Sequence, residues 1–327
     1  MNRPWLNNID KSKRILEIGP LCWPNVKKEP GVNVYYSDIK TTEEVKEHYK
    51  NHPIPIDQIV NIDFLIGEEG YSASLKDIKK FDYVIATHVI EHIPQLIMFF
   101  HDISGILNNQ GKLCLTIPDK RFCFDRLRYP TSFAECYDIY MRKIKDLPFR
   151  VLDHLISSTK NDPVYWWNEA SNFKYMPCEK ATIDSAKEMY LQALKGEYYD
   201  VHFSVFTPES FLLLLLNMLE FNLLPFRCIE FDNTEINTFE FNCVLELSTN
   251  ILVEGSAESK NEKENIIKLL NENQDSRYSN LIIENLKNDL QKSNEINDNL
   301  KNDLKAIQSS KSWKITAPLR KIRSVFK

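Results

Sequence analysis

The stretch FDYVIATHVIEHIP, Phe81 to Pro94, decides the fold. Its first seven residues are a continuous apolar, β-branched and aromatic run, broken only by Asp82. Such a run reads as a strand covered on both faces, the pattern of a parallel sheet. The run ends at Thr87-His88, and a few residues on comes Pro94, which is tolerated at a helix start. Beyond it Leu96, Ile97, Phe100, Ile103 and Leu107 fall on one helical stripe. Strand, polar carboxyl end and helix make one β/α unit.

The same alternation extends in both directions. RILEI (14–18), VNVYYS (32–37) and QIVNIDF (58–64) precede the central run, and KLCLTIP (112–118) follows it. Helix-like stretches at Thr42–Lys50 and Ser72–Lys79 lie between, and Asn109-Gln-Gly111 turns the chain into the fifth strand. Strands alternating with helices predict an α/β domain built on a parallel sheet. From 119 to 200 the alternation stops, and an aromatic stretch punctuated by Pro130, Pro148, Pro163 and Pro177 reads as a helical insertion, a lid. Thr207-Pro208-Glu209 then opens a helix with Thr207 as N-cap, and two runs, PFRCIEF (225–231) and FEFNCVLEL (239–247), close the domain near 250.

Composition narrows the function. The 327 residues hold only eight glycines and no GxGxxG or GxxxxGK[ST], so a Gly-rich phosphate loop is not expected. Seven cysteines without a CxxC pair read as buried free thiols. Of the 41 Lys and Arg, six lie in the last 17 residues, which carry no acid, while all 46 Asp and Glu precede them. An acidic body of this kind predicts no nucleic-acid partner. The N-terminus lacks a signal-peptide core, and the longest apolar run, Phe211–Leu224, is too short and too broken to span a bilayer, so the chain is expected to be cytoplasmic.

The C-terminal part reads as three pieces. Residues 251–280 are a polar linker and helix start. Over 281–310, NLKNDL recurs after 14 residues, and Ile283, Leu286, Leu290, Leu300, Leu304 and Ile307 fall on heptad seam positions interrupted by Ser293 and Asn297. That pattern predicts a coiled coil and self-association through it. Residues 311–327 form a basic amphipathic tail containing Trp313, suited to an anionic membrane surface at the inner face of the membrane.

Candidate site residues collect at the carboxyl ends of successive strands, where open α/β sheets bind ligands. Glu17 and Gly19, followed by Pro20, end the first strand, and Asp38, twenty-one residues past Glu17, ends the second. Asp63 and Phe64 end the third, and Thr87 and His88 the fourth. A carboxylate at Asp38's place can accept both hydroxyls of a ribose. The LEIGP, YYSD, NIDF, FDYVIATHVIEHIP and NNQGKLCLTIPD segments resemble successive motifs of the class I S-adenosylmethionine-dependent methyltransferases. PDKRFCFD (118–125) and VFTPESF (205–211) are similar to stretches of bacterial members encoded with O-antigen and capsule glycosyltransferases. The resemblance covers roughly residues 12 to 250. It implies a Rossmann-like sheet of seven strands with the last antiparallel, and S-adenosyl-L-methionine as cofactor. It further implies that Glu17 and Gly19 face the methionine part, Asp38 the ribose and Asp63 the adenine. The family's first loop carries two or three glycines, whereas here Gly19 is followed by Pro20-Leu21-Cys22-Trp23-Pro24.

Methyl transfer needs in-line placement of the acceptor, and a sugar hydroxyl also needs a base near neutral pH, for which histidine suits. His92 is the first candidate, followed by His88, His154 and His202. His88-Val-Ile-Glu-His92 also spaces like an inverted zinc-protease helix, but a β run before it and Pro94 after it oppose the helix, so no metal is expected. The expected acceptor is a glycan or nucleotide-sugar, given by the resemblance alone. A lipid, quinone or other small-molecule acceptor and a non-catalytic coiled-coil adaptor are the alternatives.

Overall fold

The computed structural model describes residues 3–168 and 182–309, with side chains in 274–308 described only in part. Seven strands, β1 (Ile15–Ile18), β2 (Val34–Asp38), β3 (Phe64–Leu65), β4 (Phe81–Thr87), β5 (Leu107–Pro118), β6 (Phe226–Asp232) and β7 (Glu240–Leu247), form one sheet. Their order is β3-β2-β1-β4-β5-β7-β6. β1 to β5 run parallel, and β7 is antiparallel to both β5 and β6. This is a Rossmann-like sheet of seven strands with the last antiparallel, as the resemblance implies.

The helices are α1 (Thr42–Tyr49), α2 (Tyr71–Ser74), α3 (Leu96–Ile106), α4 (Phe133–Arg142), α5 (Pro148–Ser157), α6 (Pro163–Asn168), α7 (Ile183–Ala193), α8 (Pro208–Glu220) and α9 (Ala257–Ser309). Of these, α4 to α7 lie in the insertion. The core joins β1, β4 and β5 to the apolar faces of α3 and α8, with Phe100, Ile103, Phe211 and Leu215 fully enclosed. Helix α8 starts as the sequence predicts, since Thr207 Oγ1 accepts the Ser210 amide at 3.1 Å and Pro208 follows. From β1 the chain builds outward to β2 and β3, then crosses back to β4 beside β1. That reversal leaves a crevice above the carboxyl ends of β1 and β4.

Three local expectations differ from what forms. The run at 58–64 pairs as a strand only at Phe64–Leu65. Ahead of it Asp63 Oδ2 accepts the Tyr36 amide at 2.7 Å, so a side chain takes the place of a strand carbonyl. The turn at 109–111 lies inside β5 as an outward loop, with Gln110 at φ +59° and the pairing with β4 shifting between Leu107 and Lys112. The helix expected at Ser72–Lys79 is the single turn of α2.

The boundary expected near 250 moves outward. The first compact unit runs to Asn273, and α9 begins at Ala257, within the segment expected to hold a polar linker and a helix start. Edge strand β6 explains why. Glu262 Oε1 accepts the Cys228 amide at 2.8 Å, Asn265 Nδ2 donates to the Cys228 carbonyl at 3.0 Å, and Ile266 is buried. Helix side chains thus satisfy and cover an edge that would otherwise be open to pairing. The second unit, 274–327, is described as helix as far as Ser309, and Leu300 of the expected seam is exposed there. The basic tail at 311–327 lies outside the described residues. The six described cysteines are free and buried. Among the described residues no helix is long and apolar enough to cross a membrane.

Candidate active site

The loop after β1 is shaped by Glu17. Its buried carboxylate accepts the Asn25 amide at 2.7 Å, Asn25 Nδ2 at 2.8 Å and the Val26 amide at 3.1 Å. Burial raises its pKa, against the pull of those donors. Gly19 and Leu21 both take left-handed backbone, at φ +57° and +53°. Leu21 therefore stands in a conformation that a second glycine would adopt without strain. Its carbonyl accepts the Val60 amide at 2.9 Å, which ties the strained residue to the segment before β3. A Cβ added to Gly19 would meet only Val89, at 3.9 Å, so the backbone there is open to close approach. Pro20 is buried, and Thr87 Oγ1 accepts from Asn25 Nδ2 at 3.1 Å.

Asp38 ends β2 with Oδ1 accepting the Lys40 amide at 3.0 Å, and burial raises its pKa. Asp63 is otherwise engaged: besides the Tyr36 amide it receives Lys28 Nζ at 2.6 and 2.7 Å. Phe64 stacks on Tyr35 with ring centroids 5.5 Å apart. The open backbone at Gly19 and the carboxylate of Asp38 are groups at the crevice that fit S-adenosyl-L-methionine. Glu17 and Asp63 bond backbone amides around the crevice, and Asp63 also pairs with Lys28.

The histidines meet where the insertion returns to the sheet. His88, at φ +52°, follows β4 and places Nε2 2.8 Å from Glu240 Oε2. One turn of 3-10 helix, Ile90–His92, carries Glu91 and His92. The Phe203 and Ser204 amides donate to the Glu91 carbonyl at 2.7 and 3.0 Å, which pins the segment carrying Asp200 and His202 against that turn. His92 Nδ1 lies 2.8 Å from Asp200 Oδ1, and His202 Nδ1 lies 2.5 Å from Asp125 Oδ2. The rings of His92 and His202 sit edge to face at 4.8 Å. Burial works against a charged His92, but Asp200, Glu91 and Asp125 outweigh it and raise its pKa. His92 in turn holds the Asp200 carboxyl down to about 2. His154 is buried one ring further in, 5.9 Å from His202.

Glu91 is the group the sequence reading left out. It is 1% exposed, and neither carboxyl oxygen has a hydrogen-bond partner among the described residues. His88 Nδ1 lies 3.8 Å and His202 Nε2 4.0 Å from Oε1. Asp125 was missed as well; it is fixed by Arg128 at 2.9 Å, whose Nε reaches Asp153 at 2.8 Å. The only sequence signal for Asp200 was its place two residues before His202. Beyond His88, a cleft of about 320 Å³ opens at the ends of β6 and β7, lined by Asp232, Asn233, Glu235, Thr238, Glu240 and Asn242 among others.

A methyltransferase domain family model matches residues 5–177, more than half of the chain. The chain belongs to this methyltransferase family, whose cofactor S-adenosyl-L-methionine fits the Gly19 and Asp38 geometry. Solved structures that resemble it include a methyltransferase from Methanosarcina mazei, 13% identical over 75% of this chain and 97% of that one, with a TM-score of 0.35. Another is the CcbJ methyltransferase from Streptomyces caelestis, 11% identical over 72% and 89% of the two chains, TM-score 0.35. Human N-acetylserotonin methyltransferase in complex with SAM is 14% identical over 75% and 50%, TM-score 0.35. The chain spans about half the length of the first such structures, 51%, 50% and 50% of theirs. No curated protein sequence matches.

Proposed function

We propose that the protein is an S-adenosyl-L-methionine-dependent O-methyltransferase acting on a sugar of a surface polysaccharide or of its nucleotide-linked or lipid-linked precursor. The observation that carries the sugar is the cleft beside His88. Its side-chain lining is mostly carboxylates, amides and a hydroxyl, the groups that hydrogen-bond a polyhydroxylated acceptor and offer little to a quinone or an acyl chain. Residues 205–211 and 118–125, similar to glycan-linked members, flank that side of the sheet.

When bound, the cofactor supplies an electrophilic methyl group on a sulfonium sulfur; the acceptor oxygen takes the methyl as the sulfur–carbon bond breaks, and the hydroxyl proton passes to the protein. The chain's part is placement and proton removal. Asp38 and the Gly19 backbone hold the cofactor, the cleft residues orient the acceptor, and His92, steadied by Asp200, stands where the proton leaves. The test is transfer of labelled methyl from S-adenosyl-L-methionine to polysaccharide and nucleotide-sugar fractions, with lipid extracts alongside. Label in the sugar-containing fractions is the expected result. Label confined to sugar-free lipid or small-molecule fractions would overturn the acceptor class, and no label anywhere, with no cofactor binding, would overturn the activity.

A further inference from the structure

We propose that Glu91, His92 and His202 bind one divalent first-row transition-metal ion, and that its open positions take hydroxyl oxygens of the methyl acceptor. The first half stands on this geometry alone; the second rests on the sugar reading above.

The three side chains each bring one donor atom to within 4.8 Å of the others. Glu91 is enclosed yet has no hydrogen-bond partner among the described residues. A buried carboxylate without a partner is costly, and a cation between it and two imidazoles removes that cost. The histidines are set up as ligands are. Metal-bound histidines characteristically give their second ring nitrogen to a carboxylate, which fixes the ring and its tautomer. His202 does so through Nδ1 to Asp125 at 2.5 Å, and His92 Nδ1 lies 2.8 Å from Asp200 Oδ1 in an ion pair. That leaves the opposite nitrogen of each ring available, and His202 Nε2 already faces Glu91 Oε1 at 4.0 Å. Asp125 is held by Arg128, so the outer layer is rigid as well.

Two imidazoles and one carboxylate suit zinc, manganese or iron better than calcium or magnesium, and three protein ligands leave positions for substrate. Bonds of about 2.0–2.2 Å put ligand atoms roughly 3–3.5 Å apart, so the triad closes by about an ångström on loading. The ligands come from the turn after β4 and from the end of the insertion, and the Phe203 and Ser204 amide bonds to the Glu91 carbonyl hold the two segments in register. A bound hydroxyl has its proton acidified by the ion. This replaces the role given to His92 above: with the ion bound, His92 is a ligand, and the acidified proton leaves to water rather than to the imidazole.

The full-length protein, stripped with a chelator, is titrated with Mn²⁺ followed by electron paramagnetic resonance and with Zn²⁺ by calorimetry, without cofactor or acceptor. The expected result is one ion per chain and a raised thermal midpoint, with Glu91→Gln and His202→Asn each losing that tight site. Asp125→Asn, which disturbs only the outer layer, is expected to weaken binding about 10- to 100-fold. No stoichiometric binding, or binding unchanged by Glu91→Gln, overturns the site. So does binding that His48→Ala abolishes, which would place the ion on the surface His48–His52 pair. If the ion binds but the stripped chain methylates acceptor at the full rate, the acceptor half falls. Absence of methyl transfer with metal binding intact overturns the enzymatic reading and leaves the metal site standing.

Discussion

Glu17 and Asn25 are bonded twice: one carboxylate oxygen of Glu17 accepts both the backbone amide and the side-chain amide of Asn25, at 2.7 and 2.8 Å. The loop over the cofactor crevice is thus hung from the strand beneath it. Glu17→Gln keeps the shape but replaces an acceptor oxygen with a donor that faces other donors. Losing hydrogen bonds to a charged group costs about 1.5–3 kcal/mol each. We expect urea denaturation to show at least about 2 kcal/mol of destabilisation together with weaker cofactor binding. Unchanged stability would mean that the loop is held by other contacts.

Asp38 has a different task. Its carboxylate ends β2 at the crevice, and Asp38→Ala should leave the fold intact while raising the dissociation constant for S-adenosyl-L-methionine. The loss of charge-assisted bonds worth about 1.5–3 kcal/mol corresponds to roughly 10- to 150-fold. Calorimetry reads this directly, and an unchanged constant removes Asp38 from the ribose.

His92→Ala should lower turnover by about 10²–10⁴ with cofactor affinity nearly unchanged. Steady-state rates and cofactor calorimetry on the same preparation separate the two effects. Full turnover in the variant would take His92 out of the reaction, both as base and as ligand.

Arg128 is 1% exposed and joins Asp125 to Asp153. Removing one member of a buried ion pair leaves the other charge stranded, at about 3–5 kcal/mol. Arg128→Met should therefore lower the thermal midpoint strongly, whereas Arg142→Met on the exposed pair with Asp138 should leave it within experimental scatter. Equal effects of the two would contradict the burial argument.

A chain ended at Asn273 should match the full-length protein in thermal stability, because the first unit closes there. One ended at Val253 loses the Glu262 and Asn265 bonds to Cys228 and uncovers the β6 edge. It should melt earlier and aggregate, as exposed edge strands do. Light scattering during a thermal ramp distinguishes them.

What the sequence determined by itself was the order of elements. Continuous apolar runs such as Phe81–Thr87, the stripe from Leu96 to Leu107, and the Thr207-Pro208 start carry their structure in near neighbours, because strand and helix periods and caps are local. Strand-end positions followed from that order, which is why Gly19, Asp38 and His88 could be placed on one rim. Tertiary structure decided how each acid is used. Glu17, Asp38 and Asp63 read alike at strand ends, yet Glu17 bonds the loop at Asn25 and Val26, Asp63 takes the Tyr36 amide and Lys28, and Asp38 accepts the amide of Lys40, two residues on. It also decided the chemistry of the histidines. Glu91, Asp125 and His202 come from three distant parts of the chain and meet because the insertion returns to the turn after β4. No periodicity records such a meeting, since it depends on the path of the intervening residues and on packing between elements far apart in sequence.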